Sequence, residues 1–244
     1  LIQELGWSPE MHRKFLLDYY CQHLDWSPSK GLMFMYNPKT GDGRITGSAA
    51  SLLGLEKALE LKDDALITES INKIIMLHGI ILAFGGIPLI YAGDEIGTLN
   101  DYSFRKDNSK KDDSRWVNRP MQDWETISIL DNADLPQSKI YHTLQKLISI
   151  RRSNPVFADN NSLSLCHTGN DHILVFEKRG NDQQGLLVLC NFDEKTQVIE
   201  SGWIKRLGYF AKGDPLDLVS DRKLVMKSGL LEIAPYQLIW LKRN

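Results

Sequence analysis

Arg44 stands in GDGRITG, Arg115 in DDSRW, and the pair Asp94-Glu95 directly follows the apolar run IPLIYAG. A guanidinium presented from a glycine-held loop can fork onto a carboxylate or onto sugar hydroxyls, or it can lie idle on the surface. Arg115 is set between carboxylates and beside Trp116, a common way to grip a polyol; a solvated arginine is the plainer alternative. Asp94 and Glu95 occupy the point where a strand would hand over to a loop. There a carboxylate orients a neighbour, touches a polar substrate, or accepts backbone N–H bonds as a loop cap. The doublet is not a catalytic pair by itself. Glycoside chemistry needs two carboxyl groups facing each other across about 5–9 Å, and adjacent residues on extended backbone point apart.

Other chemistries find little support. His78 lies on the apolar face of a helical stretch and reads as a hydrogen-bonded core histidine, while His12, His23, His142, His167 and His172 have no paired spacing for zinc. No metal and no cofactor are therefore expected. GDGRITG lacks the lysine and preceding strand of a phosphate loop, GGIPL opens no helix, and no serine elbow has a credible partner set. Cys21, Cys166 and Cys190 are odd in number and far apart, which suits buried thiols in a reducing compartment, the cytoplasm. A formal net charge of -2 argues against nucleic acid or an anionic membrane as partner.

The elements that must position these residues follow from periodicity. Met11, Phe15, Leu16, Tyr19, Tyr20 and Leu24 recur at three and four, predicting a helix over Pro9 to Leu24 with Ser8 as N-cap and Pro9 in its first turn. Gly31 to Gly47 reads as a tightly turned surface loop between two apolar-aromatic edges. Helices are expected over Ser48 to Leu59, Ala65 to Ala83 and Gln137 to Arg151. Between the last two, Pro88 to Tyr91 reads as a buried strand with Gly85-Gly86 before it and Ala92-Gly93 after it. Thr98 to Asn132 is long, charged and carries Trp116 and Trp124, which favours an ordered, functional loop.

Composition changes at Pro155. Short alternating runs follow at Ser162–Cys166, Ile173–Lys178, Gly185–Asn191, Thr196–Glu200, Leu216–Val219, Leu230–Ile233 and Gln237–Leu241, with a turn at Asn181-Asp182. An antiparallel β-sandwich that folds by itself is the natural packing. The apolar window Ile71 to Tyr91 is interrupted by Asn72, Lys73, His78 and a Gly-Gly pair, so no membrane-spanning helix is expected. The start LIQELGW has no secretory leader, and a first residue of leucine suggests a piece of a longer chain.

Four segments carry a family resemblance: MHRKFL (Met11 to Leu16), YNPKTGDGRITGSAASLLGL (Tyr36 to Leu55), GGIPLIYAGDEIG (Gly85 to Gly97) and GTLNDYSFRKDNSKKDDSRWVNRP (Gly97 to Pro120). The chain resembles the C-terminal part of the α-amylase superfamily, glycoside hydrolase family 13, and within it the amylosucrase and sucrose hydrolase group. ISIRRSNP followed by a β-domain is similar to that family's ending. The resemblance implies an α/β plus β fold: the C-terminal part of a (β/α)8 barrel with an inserted helical segment, then an antiparallel β-sandwich. Residues 1–60 would be the insert after barrel strand seven, 61–155 the last part of the barrel with strand eight, and 156–244 the sandwich. It implies that Arg44 closes the bottom of a sucrose pocket by pairing with an aspartate, and that Arg115 reaches sucrose from the strand-eight loop. Asp94 and Glu95 would be structural or outer-shell.

The family's aspartate nucleophile, glutamic acid–base and His-Asp motif have no match here, so no catalytic residue is assigned and the chain is expected to be inert. The intact enzyme would transfer or hydrolyse an α-glucosyl group of sucrose or α-glucan with retention. The competing expectation is a non-catalytic carbohydrate-binding or structural module. Either way a lone eighth strand would expose two edges, so a companion chain completing the barrel, self-association through the orphan surface, or local rearrangement is expected, the companion chain first.

Overall fold

The structure, a computed structural model, describes residues 2–157, 163–180, 185–211, 213–224 and 226–243. Two sequence expectations, the strand start at Ser162 and the turn at Asn181-Asp182, lie outside the described residues. The chain folds into two compact units, Leu1–Ile71 with Tyr91–Lys139, and Asn72–Ile90 with Ile140–Asn244.

In the first unit, helix α1 (Pro9–Tyr20) begins as expected, with the Ser8 hydroxyl accepting the Met11 amide. It stops short of Leu24 because Cys21 closes onto the Leu17 carbonyl and Gln22 turns away at φ 66°. The stretch expected as a loop is instead a β-hairpin. Strand β1 (Leu32–Asn37) pairs antiparallel with β2 (Asp42–Thr46), setting Leu32 opposite Thr46, Met33 opposite Ile45 and Phe34 opposite Arg44. The Asn37 carbonyl closes the turn by accepting the Thr40 and Gly41 amides at 3.3 and 2.9 Å. The helix expected over Ser48 to Leu59 is divided into α2 (Ala49–Leu52) and α3 (Leu55–Leu61). The break falls at Gly54, whose φ of 99° suits glycine and where a Cβ would stand 2.9 Å from Pro28.

Helix α4 (Asp64–Phe84) follows. By length and composition alone it could cross a bilayer, yet Ile71, Ile74, Met76, Leu82 and Ala83 are buried within the protein. The strand expected from Pro88 to Tyr91 does not form. Ile87 and Leu89 are 90% and 81% exposed, and no described strand runs beside them. An apolar run becomes a strand only against a neighbour that accepts its ladder, and Pro88 removes one of the donors. The long segment after it is built from short turns: 3-10 turns at Asp94–Ile96, Tyr102–Lys106 and Ser114–Asn118, then helix α5 (Trp124–Ser128). Asp101, Asp113 and Asp123 start the last three by accepting the amides of Ser103, Arg115 and Thr126. Ile96, Phe104, Val117 and Leu130 anchor the segment in the core.

The second unit holds the rest of α4, most of helix α6 (Pro136–Ser153) and the β-strands. These are β3 (Leu163–Cys166), β4 (Ile173–Arg179), β5 (Gly185–Asn191), β6 (Gln197–Glu200), β7 (Leu216–Asp217), β8 (Arg222–Lys223), β9 (Leu230–Ile233) and β10 (Leu238–Lys242), with helix α7 (Gly202–Arg206) after β6. Six strands form one sheet in the order β3-β4-β5-β10-β7-β8, and β6 pairs with β9 alone. One face of the large sheet buries Val175, Leu187, Leu189, Ile239 and Leu241 against Ile199, Ile233 and Ile204 of the β6-β9 ribbon and α7. On other positions Phe176 meets Phe84 of α4 edge-on at 5.5 Å, and Trp240 packs on Phe157 at 5.1 Å.

The fold is therefore mixed α/β with several antiparallel sheets. The expected class is met at that level; the described residues show no closed barrel, and their C-terminal strands form no clear sandwich.

Candidate functional site

The hairpin register decides where the two arginines stand. Side chains directly opposite one another in an antiparallel pair lie on the same face, so Phe34 and Arg44 share a face of the hairpin with Leu32 and Thr46. The segment Ser114–Asn118 lies over that face: Thr46 donates its hydroxyl to Asn118 Oδ1 at 2.9 Å, and the Arg115 guanidinium stacks 4.5 Å from the Phe34 ring centre. Arg115 thus stacks on Phe34, and Arg44 stands opposite Phe34 in the strand pairing. The strand bulges just beyond Phe34, where Met35 adopts φ 52° and the register shifts before Asn37.

Arg115 is held in place by Asp113. Its Nε donates to Oδ1 and Oδ2 at 2.9 and 3.1 Å, and Nη2 donates to Oδ2 at 2.8 Å. This fork holds the Asp113 carboxyl well below its ordinary range, at about 2, the Arg115 hydrogen bonds being the largest cause. The aromatic partner is Phe34, whereas the neighbouring Trp116 is faced by Lys110 at 4.8 Å and Arg119 at 5.7 Å. Arg44 is exposed and its side chain makes no hydrogen bond or ion pair with any described residue, so the aspartate partner implied by the resemblance is not among them.

Asp94 and Glu95 form the turn between Gly93 (φ 100°) and Gly97 (φ 60°). Glu95 folds back so that its carboxylate accepts the Gly93 amide at 2.7 Å. At Gly93 a Cβ would lie 2.7 Å from the Thr98 hydroxyl, so the turn is closed as well as left-handed. His78 is 5% exposed and donates from Nδ1 to the Ile74 carbonyl at 2.8 Å, the core role expected of it.

A buried polar cluster fixes the loop that carries Arg115. Glu56 accepts hydrogen bonds from Ser51 and from the Tyr102 hydroxyl (3.0 Å), and Lys30 stands 3.3 Å away. Asn100 ties in by donating to the Lys30 carbonyl at 2.7 Å and accepting the Ser48 amide at 2.8 Å. Each polar group has a partner, which a cluster at this depth requires. Sequence reasoning passed over Phe34, Asp113 and this cluster. The alternation of Leu32, Phe34 and Tyr36 was the available signal, obscured by the glycines and proline around it.

Two cavities adjoin the hairpin in this unit. One, of ≈ 520 Å³, is lined by Phe34, Met35, Phe104, Arg105, Lys111 and Asp112, among others. The other, of ≈ 490 Å³, lies against α1, where Arg13 pairs with Asp42 and Lys14 with Asp18, and His23 Nδ1 lies in hydrogen-bond reach of Asp18 at 3.1 Å. Among the described residues no group of three or more His, Cys, Asp or Glu could hold a metal ion.

No family model matches the chain. It is 26% identical over 181 residues to glucosylglycerate phosphorylase of Escherichia coli (strain K12), covering 71% of this chain and 29% of that enzyme. It is 24% identical over 165 residues to maltogenic alpha-amylase of Bacillus acidopullulyticus, covering 62% and 24%. The chain is distantly homologous to enzymes of the α-amylase superfamily. It spans less than a third of the length of these two relatives. Solved structures share its fold: the glycogen-degrading pneumococcal virulence factor SpuA has a TM-score of 0.59 at 14% identity, covering 82% of this chain and 25% of that one. AmyP with maltotriose has a TM-score of 0.56 at 15% identity, covering 80% and 38%.

Proposed function

We propose that this chain is part of a sucrose-active α-glucosyl transferase or hydrolase, and that the Phe34 face, with Arg44 and Arg115, is one wall of its sugar pocket. The observation that carries this reading is the Arg115 guanidinium stacked on Phe34, with Arg44 paired opposite that residue on the same hairpin face. An arginine-rich face beside an aromatic side chain suits a pyranose, whose hydroxyls accept from Arg44 and from the Arg115 Nη1 group that Asp113 leaves open. Asp113 pre-sets the Arg115 fork, which lowers the ordering cost on binding. Arg44 keeps its donors open for hydroxyls or for a carboxylate on another polypeptide.

In the intact protein, a carboxylic acid protonates the glycosidic oxygen, a carboxylate takes the glucosyl group, and water or a sugar then accepts it. The chain at hand holds pocket wall and no reacting pair, so it is inert alone. A companion chain completes the site; the exposed Ile87, Leu89 and Tyr91 support this, since an apolar run of that kind ordinarily has a covering partner. Free thiols at Cys21, Cys166 and Cys190 suit a cytoplasmic setting.

Incubating the purified chain with sucrose tests both halves. Sucrose should perturb the Arg44 and Arg115 side-chain Nε–H resonances while no glucose or fructose is released. Release of either sugar would overturn the inertness, and unmoved arginine resonances at saturating sucrose would overturn the pocket.

A further inference from the structure

The cavity beside Phe34 holds two cations that the sugar-wall reading leaves unused. Arg105 and Lys111 both line it, and neither side chain has a hydrogen bond or ion pair with any described residue. Most of the nearby acids are otherwise engaged. Asp101 is bonded to Ser103, Asp107 to Ser109 and Lys110, and Asp113 to Arg115. Only Asp112 shares the cavity as an uncommitted carboxylate, which leaves the lining with a surplus of positive charge.

Arg105 is also guided. Its guanidinium lies 5.2 Å from the Tyr102 ring, and the Tyr102 hydroxyl is anchored on Glu56 and Asn100. The floor is apolar, made by Leu32, Met33, Met35 and Phe104. A space of ≈ 520 Å³ with such a floor and two free donors at its edge matches a small organic molecule bearing one anionic group. A neutral sugar would leave both charges without a counterpart, whereas a phosphate or carboxylate would accept from both.

We propose that this cavity is an anion subsite, taking the phosphate or carboxylate group of the molecule that exchanges the glucosyl group at the Phe34 wall. The proposal rests on the reading of that wall as a sugar pocket and adds the charge of the exchange partner to it.

Titration calorimetry on the full chain with inorganic phosphate, with glycerate and with sucrose tests it, using the wild type and the double variant Arg105→Gln with Lys111→Gln. Phosphate or glycerate should bind saturably below about 50 mM, and the double variant should lose about tenfold or more in that affinity with sucrose binding unchanged. The tighter of the two anions assigns the group as phosphate or carboxylate. Equal anion affinity in wild type and double variant, or no saturable anion binding, overturns the subsite while leaving the sugar wall standing. Anion binding without any sucrose binding overturns the wall, and with it the exchange role of the subsite. Circular dichroism of the double variant confirms that these two exposed substitutions leave the fold intact.

Discussion

At the scale of single residues, the site depends on one stacked and clamped arginine. Asp113 holds the Arg115 fork, and Arg115 holds the Asp113 carboxyl at about 2 against an ordinary 3.8. A carboxylate lowered in the folded chain favours the clamped state above its ordinary value and loses that contribution as pH falls through the folded value. The clamp should therefore persist at pH 4 and open as pH approaches about 2. Carboxyl carbon shifts of Asp113 should titrate with a midpoint near about 2; a midpoint at the ordinary value would mean that the fork is not formed in solution. Asp113→Asn keeps the shape but weakens the charge-assisted bonds, so it should free the Arg115 guanidinium with little loss of stability, as expected of an exposed pair.

At the scale of elements, the hairpin β1-β2 is aimed by close backbone approach. Gly31, just before β1, donates to the Tyr20 carbonyl at 2.7 Å, and a Cβ there would stand 2.6 Å from that same oxygen and 2.7 Å from Leu52. Backbone cannot yield as a side-chain tip can, so Gly31→Ala should cost about 1–3 kcal/mol, read as a lowered urea midpoint. An unchanged midpoint would mean that the hairpin is not seated there. Glu56→Ala should cost about 2–4 kcal/mol by stranding the Lys30 and Tyr102 partners in a buried cluster. Amide exchange across residues 100–118 should accelerate in that variant; protection equal to wild type would contradict the cluster's role in fixing the loop.

These elements also show what could be read from sequence. The strands at Ile173, Gly185 and Leu230 follow local alternation, and their observed bounds lie within a residue or so of those expected. The helix near Leu55 breaks where Pro28, distant in sequence, crowds Gly54. Residues 88–91 look like a strand by composition, but strand formation depends on neighbours that a local reading cannot supply. The arginines stood out by type, whereas Phe34 acquires its importance only from the pairing that sets it opposite Arg44.

At the scale of the molecule, apolar residues at 87, 89 and 91 are solvent-exposed and point to an uncovered surface. Without a companion, the purified chain should self-associate, and Ile87→Asn with Leu89→Asn should reduce that association. Sedimentation velocity checks it: a wild-type chain that stays a 27.8 kDa monomer at all concentrations would remove the case for a missing partner. The pocket itself is tested most directly by sucrose titration of the full chain and of Phe34→Ala, Arg44→Ala and Arg115→Ala. Each variant should weaken binding about tenfold or more, with the Phe34 and Arg115 losses less than additive because those side chains touch. Sucrose affinity unchanged in all three would contradict the assignment of this face to a sugar.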